Sequence, residues 1–337
     1  MQKLLKRSRD QALEGVIAFL WGQWPAVGVA GHTHRGKGGY VDPEALFAFT
    51  CAFGRYDARL FDEVLDWLSI HVRFVNVQRM KNILVDANPA VRSAMSASAR
   101  ALLRAVPNAK WKLLTREPES HVTEQPFFLL PDGRPMPLRG KCDPDFLAHG
   151  LRRHPVQLRR MSSLFSPDTA GSLLLKLRAL LGVNARSEIV LYLLLNQHGN
   201  SREIARRTHY FQKTIHDTLV DLECSGYVES SKVGRERRFY LSSQELKNVI
   251  MPLPNSIRWV DWPALLFLIE SYWRELDELT QSDVGEETIR SELYFMAKRL
   301  AESSTLRDSA PPIRPPKPNK TSEEYLQPFL ELVDSLG

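Results

Sequence analysis

The sequence predicts a mainly α-helical protein whose centre holds two short helices and a β-hairpin, flanked by helical regions on either side. Three observations carry this. Apolar residues recur at helical spacing through residues 1–115. The run Ser201 to Leu241 contains two short amphipathic stretches and then a Val-Gly turn between extended segments. Downstream, Trp262 to Leu279 forms an aromatic and aliphatic helical stripe.

Taken in order, the first segment places Lys3, Lys6, Arg7 and Arg9 before GVIAFLWGQWPAVGVAG and so imitates a secretion signal. Asp10 and Glu14 precede the apolar part, however, and Gln23 and Pro25 interrupt it. No run reaches the roughly 18 apolar residues that a membrane span needs. The reading is an amphipathic helix in a cytoplasmic chain with no membrane partner. Asp42, with Pro43 and Glu44 behind it, starts a second helix. Asp57 starts a third, with Leu60, Phe61, Val64, Leu65 and Leu68 inward and Asp62, Glu63 and Asp66 towards solvent. Asn76 caps another, and Val91 to Val106 supplies one more.

Residues 1–115 are therefore read as an N-terminal helical domain. In residues 116–167 proline and glycine thicken, and PFFLLPDGRPMPL reads as a strand, a turn and a second extended piece. Asp143 and Asp145 flank Pro144 as turn formers. This small β and linker segment ends in a basic cluster, Arg152, Arg153, Arg159 and Arg160, offered as extra phosphate contacts. Residues 168–250 hold the central unit, and residues 251–305 form a C-terminal helical region. Residues 306–337 are a proline-rich linker and a tail helix that docks back or meets a partner.

In the central unit, Ser201 reads as the cap of a helix over Arg202 to Arg207, and Thr208, His209 and Tyr210 interrupt it. A second helix over Phe211 to Cys224 puts Phe211, Ile215, Leu219 and Leu222 on one side, and Gly226 ends it. Tyr227 to Ser230 and Arg235 to Leu241 are strands around Val233-Gly234, and Glu188 to Leu195 supplies the supporting helix. Helix, turn, helix and basic hairpin is the order of a winged helix-turn-helix. On that reading Gln212, Lys213, His216 and Asp217 face base edges. Arg206, Arg207, Thr208, Lys232, Arg235, Arg237 and Arg238 lie at the phosphates.

The stretch QKTIHDTLVDLECSGYVESSKVGRERRFYL resembles the second helix and wing of the MarR and ArsR families of bacterial winged-helix regulators. The likeness rests on Thr214, Ile215, Leu219, Leu222, Gly226-Tyr227-Val228 and the Gly-Arg wing that ends in Tyr-Leu. It covers about 75 of 337 residues. It implies a homodimer that reads palindromic double-stranded DNA, with terminal helices forming the dimer; Trp262 to Leu279 is then the candidate interface. SREIARRT has no cysteine, so the metal sensing of the arsenical type is not implied.

Charge distribution agrees with an anionic partner for the middle of the chain. The net charge is +6, but residues 134–162 carry +5 and residues 171–245 carry +3, while the stretch from Glu270 to the end carries −6. Three separated cysteines imply no disulfide framework. His32 and His34 lie in AGHTHRGKGGY, a glycine-rich basic loop with no acid or cysteine nearby to complete a metal site. The loop also lacks the Ser or Thr that a phosphate-binding P-loop needs after lysine. No catalytic triad, metal set or cofactor signature emerges, so an enzyme is not expected. The function expected is sequence-specific transcription regulation, as a repressor. The alternative is an antitoxin-like component of a toxin-antitoxin or phage-defence pair, whose winged helix regulates its own operon and whose N-terminal domain binds a protein partner.

Overall fold

The computed structural model describes residues 1–31, 39–116, 123–242, 257–309 and 313–336. Helices make up 63% and strands 6%, so the mainly α class holds.

The N-terminal helices are α1 (Gln2–Ala26), α2 (Pro43–Phe53), α3 (Ala58–His71), α4 (Val77–Ile83) and α5 (Pro89–Ala105). The predicted caps are present: Asp42, Asp57 and Asn76 accept the backbone N–H of Ala45, Leu60 and Arg79. Each meets one of the donors that a helix start leaves without an intrahelical partner. The proline-rich segment pairs β1 (Gln125–Pro126) in parallel with β2 (Leu151–Arg152), with α6 (Pro144–Ala148) between them. Around the Pro-Asp-Gly turn, Leu129 bridges Pro135, as the extended-turn-extended reading expects.

The central unit comprises α7 (Leu173–Leu181), α8 (Ala185–Asn196), α9 (Ser201–Thr208), α10 (Gln212–Cys224), β3 (Val228–Val233) and β4 (Glu236–Leu241). It is followed by α11 (Trp262–Gln281), α12 (Glu286–Glu302), α13 (Ser304–Ser309) and α14 (Ser322–Asp334). One cluster of buried apolar side chains runs from Leu5 to Val333.

The apolar stripe of α11, expected to build a dimer, is covered within the chain. α11 packs on α1 and α2. The indole N–H groups of Trp262 and Trp273 donate to the carbonyls of Tyr40 and Arg9, and Tyr272 stacks on Phe329 of α14 with ring centres 4.1 Å apart. Trp262, Leu265, Leu266, Ile269, Tyr272 and Trp273 are buried on the protein's own core and Leu268 is half-buried, so the stripe is not a free face for a second copy. The tail helix α14 docks on α1 and α12, and its start is fixed by a capping box between Thr321 and Glu324.

Candidate nucleic-acid interface

The inner faces of α9 and α10 point at α8. Ile204, Ala205, Ile215, Leu219 and Leu222 are buried, and Val228, Phe239 and Leu241 seat the hairpin on the same core. β3 and β4 pair antiparallel from Val228–Leu241 to Val233–Glu236 around a Gly234-Arg235 loop. Gly234 has φ +63°, which an L side chain adopts only with strain. The hairpin gains a third partner that the sequence reading missed: the backbone of Gly199, between α8 and α9, exchanges two hydrogen bonds with Phe239 at 2.9 and 3.0 Å. A Cβ at Gly199 would stand 2.7 Å from the Tyr192 ring, so only glycine permits this approach. The cap of α9 is Asn200, which accepts from Glu203 N–H, and not Ser201.

The outer face of α10 is bare. Gln212, Lys213, His216 and Asp217 are all exposed, on one side of the helix, as predicted. Lys232 and Arg235 at the hairpin tip are exposed as well, and Arg206 is exposed at the end of α9 beside the half-buried Arg207. Phe211 is not inward as expected. It stands at the N-cap position of α10 on an extended backbone, makes no side-chain capping bond and is 71% exposed.

Two predicted wing arginines have intramolecular work. Arg237 pairs with Glu223 of α10, donates to Ser230 Oγ at 2.8 Å and lies 5.1 Å over the Phe239 ring. The Ser230 hydroxyl, which donates to the Glu223 carboxylate, and then this guanidinium hold that carboxyl below its usual range. Arg238 donates towards His198 Nδ1 at 3.3 Å.

Thr208 is a correction. It is fully buried, its hydroxyl donates to Ile204 O at 2.7 Å, and its carbonyl accepts from Arg79, so it cannot meet a phosphate. The whole turn is held from below by α4. Arg79 Nε donates to Thr208 O at 2.8 Å, Asn82 Nδ2 to His209 O at 3.0 Å, and the Asn76 amide to the Tyr210 hydroxyl. These contacts, with Asp261 3.4 Å from the His209 ring, support the left-handed backbone of His209, φ +58°. Beneath lies a buried ion network. Arg79 grips Asp42 through two hydrogen bonds of 2.6 and 2.8 Å and reaches Glu44 at 2.9 Å. Arg178 of α7 grips Glu44 through two bonds of 2.7 Å and Glu188 of α8 at 2.6 Å. Burial pushes the Glu188 carboxyl up, against the pull of Arg178 and Arg79. Asp42, equally buried, is held down by Arg79. Two cations for three carboxyls tie α2, α4, α7 and α8 to the turn. The sequence signal was present only as Asp and Glu beside Pro43 and as lone arginines in apolar helices.

The basic cluster before the central unit is a further correction. Arg153 is 1% exposed; it pairs with Asp62 at 2.7 Å and sits within 6 Å of the rings of Phe61, Phe128 and Phe146. Arg159 pairs with Glu63. Asp66 accepts the backbone N–H groups of Arg160, Met161 and Ser162. Glu63 and Asp66 are therefore buried receptors for this segment and not a solvated helix face. Arg152 and Arg160 are exposed. Asp143, read as a turn former, is buried and caps α6.

His32 and His34 lie outside the described residues. Among those described, no cluster of side chains could hold a metal ion, and no helix is long and apolar enough to cross a membrane. A groove of about 620 Å³ runs along α1, walled by Leu13, Ile17, Trp21 and Tyr56, with space for a small ligand. No known family's sequence model matches the chain, and neither a curated protein nor a solved structure matches it.

Proposed function

We propose that the protein is a sequence-specific DNA-binding transcription regulator that lays α10 in the major groove and sets the β3–β4 hairpin against the phosphate backbone as a wing. One observation carries this reading: α10 buries Ile215, Leu219 and Leu222 and leaves Gln212, Lys213, His216 and Asp217 bare, while Lys232 and Arg235 of the hairpin that follows it are exposed as well. A polar helix face of that kind, followed by a hairpin whose exposed cations lack carboxylate partners among the described residues, suits base edges and their flanking phosphates. Arg206 supports it from α9. A homodimer, which the family resemblance implies, would use a surface other than the covered stripe of α11.

The test is binding of the purified protein to DNA from upstream of its own coding sequence, against random competitor, over a salt series. Competitor-resistant binding that is lost in a Gln212→Ala, Lys213→Ala variant supports the reading. Absence of binding by wild-type protein even at low salt overturns it.

A further inference from the structure

We infer that Phe211 is a specificity-determining residue that reads the C5-methyl group of a thymine in the major groove. The inference rests on the DNA-reading role of α10 proposed above and names what that helix selects.

The aromatic pair Tyr210-Phe211 divides at the turn. Tyr210 goes inward, packs on the core and accepts from the Asn76 amide. Phe211 is left 71% exposed at the start of α10, at a position where Ser, Thr, Asp or Asn would normally close the helix. It does not cap: no side-chain hydrogen bond forms there, and its only helical duty is the carbonyl that accepts from Ile215 N–H at 3.1 Å. A large apolar ring therefore stands in water with no structural task that a smaller residue could not perform. Of the residues that follow it at the start of α10, Gln212, Lys213 and His216 are exposed and polar.

The partner follows from the chemistry of the groove. The major-groove edges of guanine, cytosine and adenine are donors and acceptors, and the thymine methyl is the one apolar group among them. A ring at the leading end of a helix in the groove has that methyl as its complement. Gln212, the next residue, suits a bidentate contact to the N6 and N7 of adenine. The pair predicts a half-site with adjacent A·T base pairs. A wedge between base steps, the other use of an exposed ring on DNA, belongs to the minor groove. It would not depend on the methyl group.

The experiment selects protein-bound duplexes from a randomised DNA library, then compares affinity for the enriched duplex made with thymidine or with deoxyuridine. The uracil duplex should bind wild-type protein about fourfold more weakly, the factor corresponding to about 0.8 kcal/mol for one methyl-sized apolar contact. In Phe211→Ala that difference should vanish, while the melting temperature and the loss of binding caused by Lys232→Ala, Arg235→Ala stay as in wild type. Enrichment with equal affinity for both duplexes overturns the methyl contact and leaves the DNA-binding reading intact. An equal thymine preference in Phe211→Ala also overturns it, because another residue then reads the methyl. No enrichment of any sequence removes both.

Discussion

Arg79 of α4 donates from Nε to the carbonyl of Thr208 at 2.8 Å while its two terminal nitrogens grip the Asp42 carboxylate. One buried guanidinium thus joins the N-terminal helices to the turn between α9 and α10. The orientation of α10 is set by a part of the chain far away in sequence. Removing one partner of such a pair leaves buried charge without compensation, which costs about 3–5 kcal/mol. Arg79→Ala should lose that much stability in urea unfolding, and Arg79→Lys most of it, because an ammonium cannot make the bidentate contact and the carbonyl bond together. A loss below about 1 kcal/mol in the alanine variant would show that the network does not hold the fold.

The same network gives a pH dependence of known sign. Glu188 has its pKa raised in the folded state, chiefly by burial, so the folded protein resists its ionisation. The penalty is absent below the unfolded carboxylate range near pH 4.3 and grows as pH rises through it towards the folded value. Glu188→Gln removes the third carboxyl from a group with two arginines and keeps an oxygen for Arg178. It should match or exceed wild-type stability at pH 7, with the margin narrowing as pH falls towards 4. Asp42 acts in the opposite sense: its depressed pKa contributes stability above the unfolded range that is lost as pH falls through the folded value. Urea midpoints of both proteins between pH 4 and 8 check this. A margin that widens at low pH contradicts the assignment.

The elements that could be read directly are those whose signals are local. The caps at Asp42, Asp57 and Asn76, the end of α10 at Gly226 and the hairpin at Gly234 depend on side-chain chemistry within three or four residues. The exposed set Gln212, Lys213, His216 and Asp217 followed from helical period alone. What failed depends on distant partners. Arg153 and Arg159 look like a solvated basic run until α3 supplies Asp62 and Glu63. Thr208 looks like a surface residue until α4 covers it. The stripe on α11 looks like an interface because its cover, α1 and α2, lies more than 200 residues earlier. Phe211 obeyed the apolar spacing and was still turned out, because Tyr210 took the inward place.

The buried state of Arg153 separates it from any phosphate-binding role. Arg153→Met keeps much of the volume beside Phe61, Phe128 and Phe146 but strips Asp62 of its partner. Burial already pushes the Asp62 carboxyl up against the pull of Arg153, so that partner matters. Stability should fall by about 1–3 kcal/mol, the cost of an unmet partly buried acceptor. The salt dependence of DNA binding should not change. A salt slope reduced by about one would instead place this arginine on a phosphate.

Hairpin arginines divide the same way, and one double comparison tests the division. Lys232 and Arg235 are exposed at the tip and lack carboxylate partners among the described residues, so as phosphate contacts each releases about one counterion. Lys232→Ala, Arg235→Ala should lower the slope of log affinity against log salt by about two and leave the melting temperature unchanged. Arg237 spends its charge on Glu223 and its plane on Phe239. Its loss should cost about 1 kcal/mol of stability, as expected for a part-exposed pair with a ring contact, and should lower the slope by less than one. If Arg237→Ala lowers the slope as much as the double variant does, the guanidinium leaves Glu223 when DNA binds. The hairpin would then rearrange on the duplex and not act as a preset wing.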